Sequence, residues 1–456
     1  MELLKAIRGN RAIRLAIVGA GGKTTAMFKL AREYAPPVIV TASTHLSVDQ
    51  TGLADHHIVL QETAELRRPD IEPFQGVVLF TGPEIENKRV QGLSDAVLLE
   101  LRKLADDLNL PLIIEADGSR QLPLKAPAEH EPAIPPWVNS VMVVAGLSGL
   151  GKPLSSETVH RPERFSILSG ILTGETITSE GLSNLLMHPD GGLKNIPGDA
   201  RKILLLNQAD QGLIQAEAKD IAMNMMGIYD SIMIASLERD EKRFPSDTIT
   251  PYSAPVYAVF EPTAGVILAA GESRRFGKPK ALLDWKGQPF IRQIAKTALQ
   301  ARLDPVLVVV GAVVDPILDC LKDLPVRIIR NEEWQNGQST SVRAGIKSLK
   351  TKSGAAVFML CDQPQISASL LESLVELHRC TLAKIICPQV DGKRANPVLF
   401  DRDTYPDLLS LQGDTGGRAL FSKYPITWLP WHDGLITLDI DTPADYQKLL
   451  DNGFSL

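Results

Sequence analysis

The sequence predicts an α/β fold divided between two domains, each built on a mostly parallel sheet. Three observations carry this. Apolar runs of strand length recur along the chain with helical stretches between them, the pattern of strands covered on both faces. Two of those runs break directly into glycine-rich loops, at 19–22 and at 271–277, so the layout occurs twice. And 456 residues exceed what one hydrophobic core usually organises. The expected boundaries are a first domain over 1–242, a linker over 243–263 punctuated by Pro245, Pro251, Pro255 and Pro262, and a second domain over 264–456.

Composition narrows the class. An apolar fraction of 44% and a charged fraction of 22% are those of a soluble globular protein. A net charge of −6 with no basic tract argues against general nucleic-acid binding. No apolar run approaches the length of a membrane span, and the run from Leu15 to Ala20 is too short, and too soon followed by Gly-Gly-Lys, for a signal peptide. Cys320, Cys361, Cys380 and Cys387 form no CxxC pair, which favours free thiols in a reducing cytoplasm over a structural zinc site.

In the first domain, Ile13 to Val18 reads as a buried strand that runs into Gly19-Ala20-Gly21-Gly22-Lys23-Thr24-Thr25. A helical pattern follows, with Met27, Phe28, Leu30 and Ala31 on one side. Strand, glycine loop, Lys-Thr and helix make a P-loop-like layout: glycines let backbone N–H groups approach phosphate oxygens, and the lysine adds charge. The loop is two residues shorter than the full pattern, whose first glycine would fall at Ile17. The plain alternative is a tight strand-to-helix turn with an incidental lysine. The candidate phosphate-binding residues are Gly19, Gly21, Gly22, Lys23 and Thr24, for ATP or GTP, with Asp117 nearby.

Further strands are expected at Val38 to Thr41, Gly76 to Phe80, Leu112 to Ala116, Val141 to Val144 and Ile203 to Leu206, with a helix around Asp95 to Leu108. Ligands of such sheets sit at the carboxyl ends of strands. Glu115 and Asp117 both stand there, and either suits Mg²⁺ or its water; spacing does not choose between them. Asn207-Gln208-Ala209-Asp210 follows a late strand and resembles the guanine-reading Asn-x-x-Asp of GTPases, with Gln where lysine is usual; Asn and Asp are equally ordinary turn residues.

The GAGGKTT loop at 19–25, EADGSR at 115–120, PLKAP at 123–127, HEP at 130–132, GKPL at 151–154 and VHRPE at 159–163 together resemble the selenium-dependent hydroxylase accessory family (YqeC-like), over roughly residues 1 to 240. The resemblance implies a nucleotide-binding accessory role in molybdenum-hydroxylase maturation, with the apoenzyme as partner, and no particular reaction. The alternative for Lys125, His130 and His160 is a solvated loop ordered by its prolines.

The second domain opens on an apolar run that breaks at Gly271 and becomes a short basic loop with a second glycine, Gly277. That loop suits a nucleoside triphosphate, with Arg275 and Lys280 supplying charge. Strands are expected at Val306 to Val310, Val326 to Ile329, Ala355 to Leu360, from Ile385 and over Val398 to Phe400. Helices are expected at Ile291 to Ala301, Ser341 to Leu349 and Ser367 to Leu377. Asp362 closes an otherwise apolar strand and is the leading Mg²⁺ ligand; its alternative is a helix cap near Ser367 or a turn before Pro364. Asp439 or Asp441 would complete the metal site, and the alternative is a cap for a helix beginning at Pro443. In the polar loop from Asn331 to Ser341, Gly337 permits close approach to a base and the hydroxyls of Ser339 and Ser341 offer hydrogen bonds; helix capping by either serine is the modest reading.

LAAGxSxRxGxxK at 268–280, Asn331 with Trp334, Gly337, Ser341 and Gly345, CDQP at 361–364, Asn396-Pro397, Gly413-Asp414-x-Gly416-Gly417 and DIDTPxD at 439–445 resemble the molybdenum cofactor cytidylyltransferases (MocA-like, of the MobA-like NTP transferase superfamily), over about 264 to 450. The resemblance implies a Rossmann-like nucleotidyltransferase domain in which CTP and the molybdopterin cofactor give the cytosine dinucleotide and pyrophosphate. It implies nucleotide contacts from Leu268, Ala269, Ala270, Gly271, Ser273 and Gly277, base reading by Gly337, Ser339 and Ser341, and catalytic roles for Arg275, Lys280 and Asp362. Asp362 and Asp441 would hold Mg²⁺. Asn396, Gly413 and Asp414 would meet the acceptor, with a flexible turn as the alternative for the 413–418 loop. Guanylyl-transferring members usually carry Gly-Gly where this chain has Ala270-Gly271, which favours CTP. Ala395 departs from the glycine often found before Asn-Pro. Rival readings are a sugar- or alditol-phosphate nucleotidyltransferase and a non-catalytic nucleotide-gated cofactor carrier.

Overall fold

The computed structural model describes residues 1–61, 75–238, 255–272, 276, 279–349 and 353–453. The chain divides into two units, Met1–Phe260 and Glu261–Leu456.

The first unit is built on nine strands: β1 (Arg14–Gly19), β2 (Val38–Ala42), β3 (His56–Val59), β4 (Val77–Thr81), β5 (Leu112–Glu115), β6 (Ser140–Gly146), β7 (Arg201–Asn207), β8 (Ser231–Ala235) and β9 (Val256–Phe260). Their order across the sheet is β9-β8-β7-β6-β1-β5-β2-β4-β3. Every neighbouring pair is parallel except β8 with β9. β2, β4 and β6 are buried along their whole length, as expected of strands covered on both faces and read as continuous apolar runs. The chain leaves β1 toward β2 on one side and later fills β6 to β8 on the other, so strand order reverses at β1. Such a reversal opens a crevice at the carboxyl ends. The 19–22 loop sits at this point, and the helix Lys23–Glu33 follows it, packing Ala26, Met27, Leu30 and Ala31 inward.

The proline-punctuated stretch over 243–263 also reads as carrying a possible last strand at Val256 to Phe260. Val256–Phe260 is a strand, antiparallel to β8 with Phe260 opposite Ile232, and the next strand already starts at Thr263. The reason is packing: Val256, Ala258, Val259 and Phe260 are all buried, so this segment closes the sheet edge rather than spanning solvent. Residues 243–254 of the expected linker lie outside the described residues.

The second unit repeats the logic with β10 (Thr263–Ala269), β11 (Val306–Val310), β12 (Arg327–Arg330), β13 (Ala355–Leu360), β14 (Ile385–Val390), β15 (Lys393–Arg394), β16 (Val398–Asp401) and β17 (Ile426–Pro430). The order is β12-β11-β10-β13-β16-β14-β15, with β17 beside β14. β10 is parallel to both β11 and β13, and the order reverses there. The carboxyl end of β10 is therefore this sheet's crevice, and it carries Ala270 and Gly271. The helices Phe290–Gln300 and Ala368–Thr381 pack on one face of the sheet, and Gln338–Lys347 packs on the other. Among the described residues no helix is long and apolar enough to cross a membrane.

Candidate functional site

A cleft of about 880 Å³ opens at the carboxyl ends of β10 and β13. Leu268, Ala270 and Gly271 line it from the end of β10, Asp362 and Cys361 from the end of β13, and Gly337, Gln338 and Ser341 from the start of the helix Gln338–Lys347. Lys280 reaches in from the segment after the basic loop. Its ammonium donates to Asp441 Oδ1 at 2.6 Å and to Asp362 Oδ2 at 3.4 Å. Burial works against this ammonium, yet Asp441 and Asp362 outweigh it and raise its pKa above the ordinary lysine value.

Asp362 is the strained partner. Burial raises its carboxyl above the usual range, against the pull of Lys280 and with a push from Asp439. Its Oδ1 is buried with no hydrogen-bond partner, as are Ser339 Oγ and Gln363 Oε1. A buried orphan oxygen calls for an explanation, and an absent ion is one. Among the described residues no three His, Cys, Asp or Glu side chains converge as a metal cage. A Mg²⁺ ion, however, commonly takes one or two carboxylates and completes its shell from substrate phosphates and water. Asp362 with Asp441 fits that requirement.

The competing capping roles fall to other residues. Ser367 caps the helix Ala368–Thr381 by accepting from Leu370 N–H at 3.3 Å, so Asp362 is not that cap. Thr442 Oγ1 accepts from Asp445 N–H at 3.3 Å, which caps Pro443–Gly453 and leaves Asp441 to Lys280. Ser339 and Ser341 lie in the first turn of the helix Gln338–Lys347, and neither is its N-cap, which is Gly337. Its first N–H groups are met instead by the 413–414 loop: Gln338 N–H donates to Asp414 Oδ1 at 3.1 Å and Ser339 N–H to the Gly413 carbonyl at 3.3 Å. Gly337 has φ +102°, and a Cβ there would lie 2.5 Å from Gly413 backbone, so only glycine lets the two loops meet. Asp414 lines the cleft. Asn396, Ala269, Ser339, Gly413 and Asp441 are not among the lining residues; Ala269 is buried in the sheet opposite Val310, and Asp441 adjoins the cleft through Lys280. Ser273, Arg275 and Gly277 lie outside the described residues.

Asn331, which stands in the family motif but is given no role of its own there, holds two hydroxyls beside the cleft. Asn331 Nδ2 donates to Thr340 Oγ1 at 2.8 Å and to Ser341 Oγ at 3.0 Å. With that lone pair taken, Ser341 keeps its O–H as a donor.

In the first unit the glycine loop meets carboxylates. Gly19 N–H donates to Asp117 at 3.0 and 3.1 Å, to its two oxygens. Lys23 Nζ donates to the Gly19 carbonyl at 2.8 Å and stands 3.3 Å from Asp117 and 3.8 Å from Glu115. Thr24 Oγ1 donates to Glu115 Oε2 at 2.8 Å. The two acids left undistinguished by spacing thus have separate places: Asp117 on the loop N–H, Glu115 on the threonine hydroxyl. Burial raises the Glu115 carboxyl above its usual range. Lys125, for which a solvated loop was the alternative, is buried and pairs with Asp117 and Glu131 at 2.8 Å each, while Arg161 grips Glu131 at 2.8 Å. Burial would raise Glu131, but Arg161 and Lys125 outweigh it and hold the carboxyl at about 2. Burial and the cations of Arg161, Lys125 and Arg120 push the His160 imidazole down to about 4, so it is neutral at physiological pH.

Two family models match, one in each unit: YqeC protein over 15–163 and MobA-like NTP transferase domain over 265–427. The uncharacterized protein YqeC of Escherichia coli K12 is 32% identical over 215 residues, which is 44% of this chain and 80% of that protein. Nicotine blue oxidoreductase of Paenarthrobacter nicotinovorans is 30% identical over 196 residues, 41% of this chain and 95% of that protein. A probable molybdenum cofactor guanylyltransferase of Mycobacterium avium is 29% identical over 192 residues, 41% of this chain and 94% of that protein. The printed names of relatives differ in chemistry, while the family models agree with the two-unit layout. The chain belongs to the YqeC family through its first unit and to the MobA-like NTP transferase family through its second.

Proposed function

We propose that the second unit transfers CMP from CTP to the molybdopterin cofactor, releasing pyrophosphate, and that the first unit binds ATP or GTP in an accessory role during maturation of a molybdenum hydroxylase. Membership of the MobA-like family supports nucleotidyl transfer as the class of reaction. The observation that carries the reading is Lys280 held between Asp362 and Asp441 in a cleft whose floor is the Ala270-Gly271 turn.

The chemistry needs positioning and charge. A phosphate oxygen of the acceptor attacks the α-phosphorus, a new P–O bond forms, the bond to the bridging oxygen of the β-phosphate breaks, and pyrophosphate leaves with the electron pair. Lys280 is kept protonated by its two carboxylates, so it enters the reaction as a fixed positive charge for the α-phosphate or the leaving group. Gly271 brings backbone close to the triphosphate. Asp362 and Asp441 would hold the Mg²⁺, which when bound neutralises phosphate charge. Arg275 is assigned to the triphosphate on the motif. Ala270 lines the cleft; in this reading it faces the base, and its methyl group narrows the space relative to Gly and favours the smaller pyrimidine.

The test is mass spectrometry of the product formed from each of the four NTPs with molybdopterin cofactor, alongside pyrophosphate release. The expected result is a cytosine dinucleotide from CTP. A guanine dinucleotide formed equally well would overturn the choice of CTP, and no dinucleotide from any NTP would overturn the reaction.

A further inference from the structure

The Asn207 to Asp210 turn does something that an ordinary turn does not require. Asn207 Nδ2 donates to the Gly21 carbonyl at 2.7 Å, and its Oδ1 accepts from Leu237 N–H at 3.1 Å. One buried side chain therefore ties the glycine loop at the end of β1 to the segment that follows β8. Gly22 makes room for it: at φ +119°, a Cβ there would lie 2.4 Å from Asn207 Nδ2. Three residues on, Asp210 is exposed and accepts a hydrogen bond from Ser236, the first residue after β8. Among the described residues Ser236 is the one donor to Asp210. Gln208, between them, adopts φ +63° and turns away to accept from Ser148 at 2.6 Å.

We propose that Asp210, fixed by Ser236 and three residues beyond the Asn207 that is bonded to the glycine loop, is the base-reading residue of a guanine nucleotide site in the first unit. The inference rests on the reading of Gly19 to Lys23 as a phosphate site and names the nucleotide it takes. A carboxylate presents two acceptor oxygens, each with two lone pairs, so Oδ1 serves Ser236 and a ligand at once while Oδ2 serves the ligand alone. Guanine offers two adjacent donors, N1–H and the 2-amino group, which match that fork. Adenine offers an acceptor at N1 beside its 6-amino group, and an acceptor facing a carboxylate is repelled. The same atoms thus select one purine and reject the other. Asn207 supplies the geometry by fastening the base-reading turn to the loop that would hold the phosphates.

The test is calorimetry on the full chain with GDP, ADP and xanthosine diphosphate, on the native protein and on the Lys23→Ala and Asp210→Asn variants. The native protein is expected to bind GDP about 10- to 100-fold more tightly than ADP, the range for pairing against an unpaired polar edge. Asp210→Asn is expected to lose most of the GDP affinity and to gain xanthosine diphosphate, whose 2-oxo group accepts from the new amide. That gain also shows that the variant is folded. If Lys23→Ala abolishes diphosphate binding while Asp210→Asn leaves the GDP-to-ADP ratio unchanged, the guanine assignment fails and the phosphate site stands. If Lys23→Ala changes no affinity, both are overturned.

Discussion

Lys280 and Asp441 are 161 residues apart in the chain and 2.6 Å apart in space. Asp362, at 3.4 Å from the same ammonium, completes a carboxylate–ammonium–carboxylate arrangement drawn from three separate segments. Its logic is mutual. The acids keep the lysine charged, and the lysine offsets the repulsion between the two acids.

Removing either sign should therefore stop the chemistry in different ways. Asp362→Asn keeps the shape but loses the carboxylate, and Lys280→Met loses the fixed charge. Each is expected to lower kcat for pyrophosphate release by about 100-fold or more, the scale found when one electrostatic contact to a transition state is removed. Extra Mg²⁺ should partly restore the Asp362→Asn variant and leave Lys280→Met unchanged, since only the former has lost a metal ligand and so binds the ion more weakly. Steady-state kinetics across a Mg²⁺ series measures this; an Asp362→Asn variant with the native Mg²⁺ dependence would argue against its assignment.

In the proposed reading Ala270 carries the choice of nucleotide. Ala270→Gly removes one methyl group from the base side of the cleft, and a single such group is worth about 10-fold or more in discrimination. The ratio of kcat/KM for GTP to that for CTP is expected to rise by roughly that factor in the variant. A competition assay with both nucleotides present reads the ratio directly, and an unchanged ratio would place nucleotide choice elsewhere.

Much of this architecture was legible beforehand. β11 and β13 are uninterrupted apolar runs, and strands buried on both faces announce themselves in that way. Gly271 and Asp362 stand where such runs end, which is where these sheets place their ligands. What was not legible depends on distant partners. β9 reads as a possible strand inside a proline-punctuated stretch, and its pairing with β8 decides between strand and linker. Lys125 lies in a proline-rich block that reads as solvated loop, and only the carboxylates of Asp117 and Glu131 explain its burial. Asp439 and Asp441 were equivalent in sequence. The structure separates them because Gln363 donates to Asp439 at 2.6 Å while Lys280 takes Asp441.

Asn331 should act through Ser341. Asn331→Ala removes the donor that holds the Ser341 and Thr340 oxygens, and frees the serine hydroxyl to turn. The expected outcome is a rise of about 10-fold in KM for the nucleotide, as for a lost hydrogen bond, with little change in kcat. Ser341→Ala should give a similar rise, and the double variant should be little worse than either single change, because both remove one interaction. Additive losses would mean that Asn331 supports the fold rather than the base.

The first unit should weaken in acid in two stages. His160 is held at about 4 in the folded protein, below the ordinary imidazole value of 6.5. As pH falls from 6.5 toward 4 the unfolded chain takes up this proton and the folded one resists it, so stability present above 6.5 is progressively lost. Glu131 is held at about 2 against an ordinary 4.5. Its contribution is complete above 4.5 and disappears as pH falls toward 2, when the carboxyl is protonated and Arg161 and Lys125 lose their partner. Thermal unfolding followed from pH 7 to pH 3 should show the first decline in native protein and a flatter curve between 6.5 and 4 in His160→Gln. The second decline should remain in that variant, since the Glu131 cluster is intact. If His160→Gln keeps the full native decline above pH 4, the imidazole is not its source.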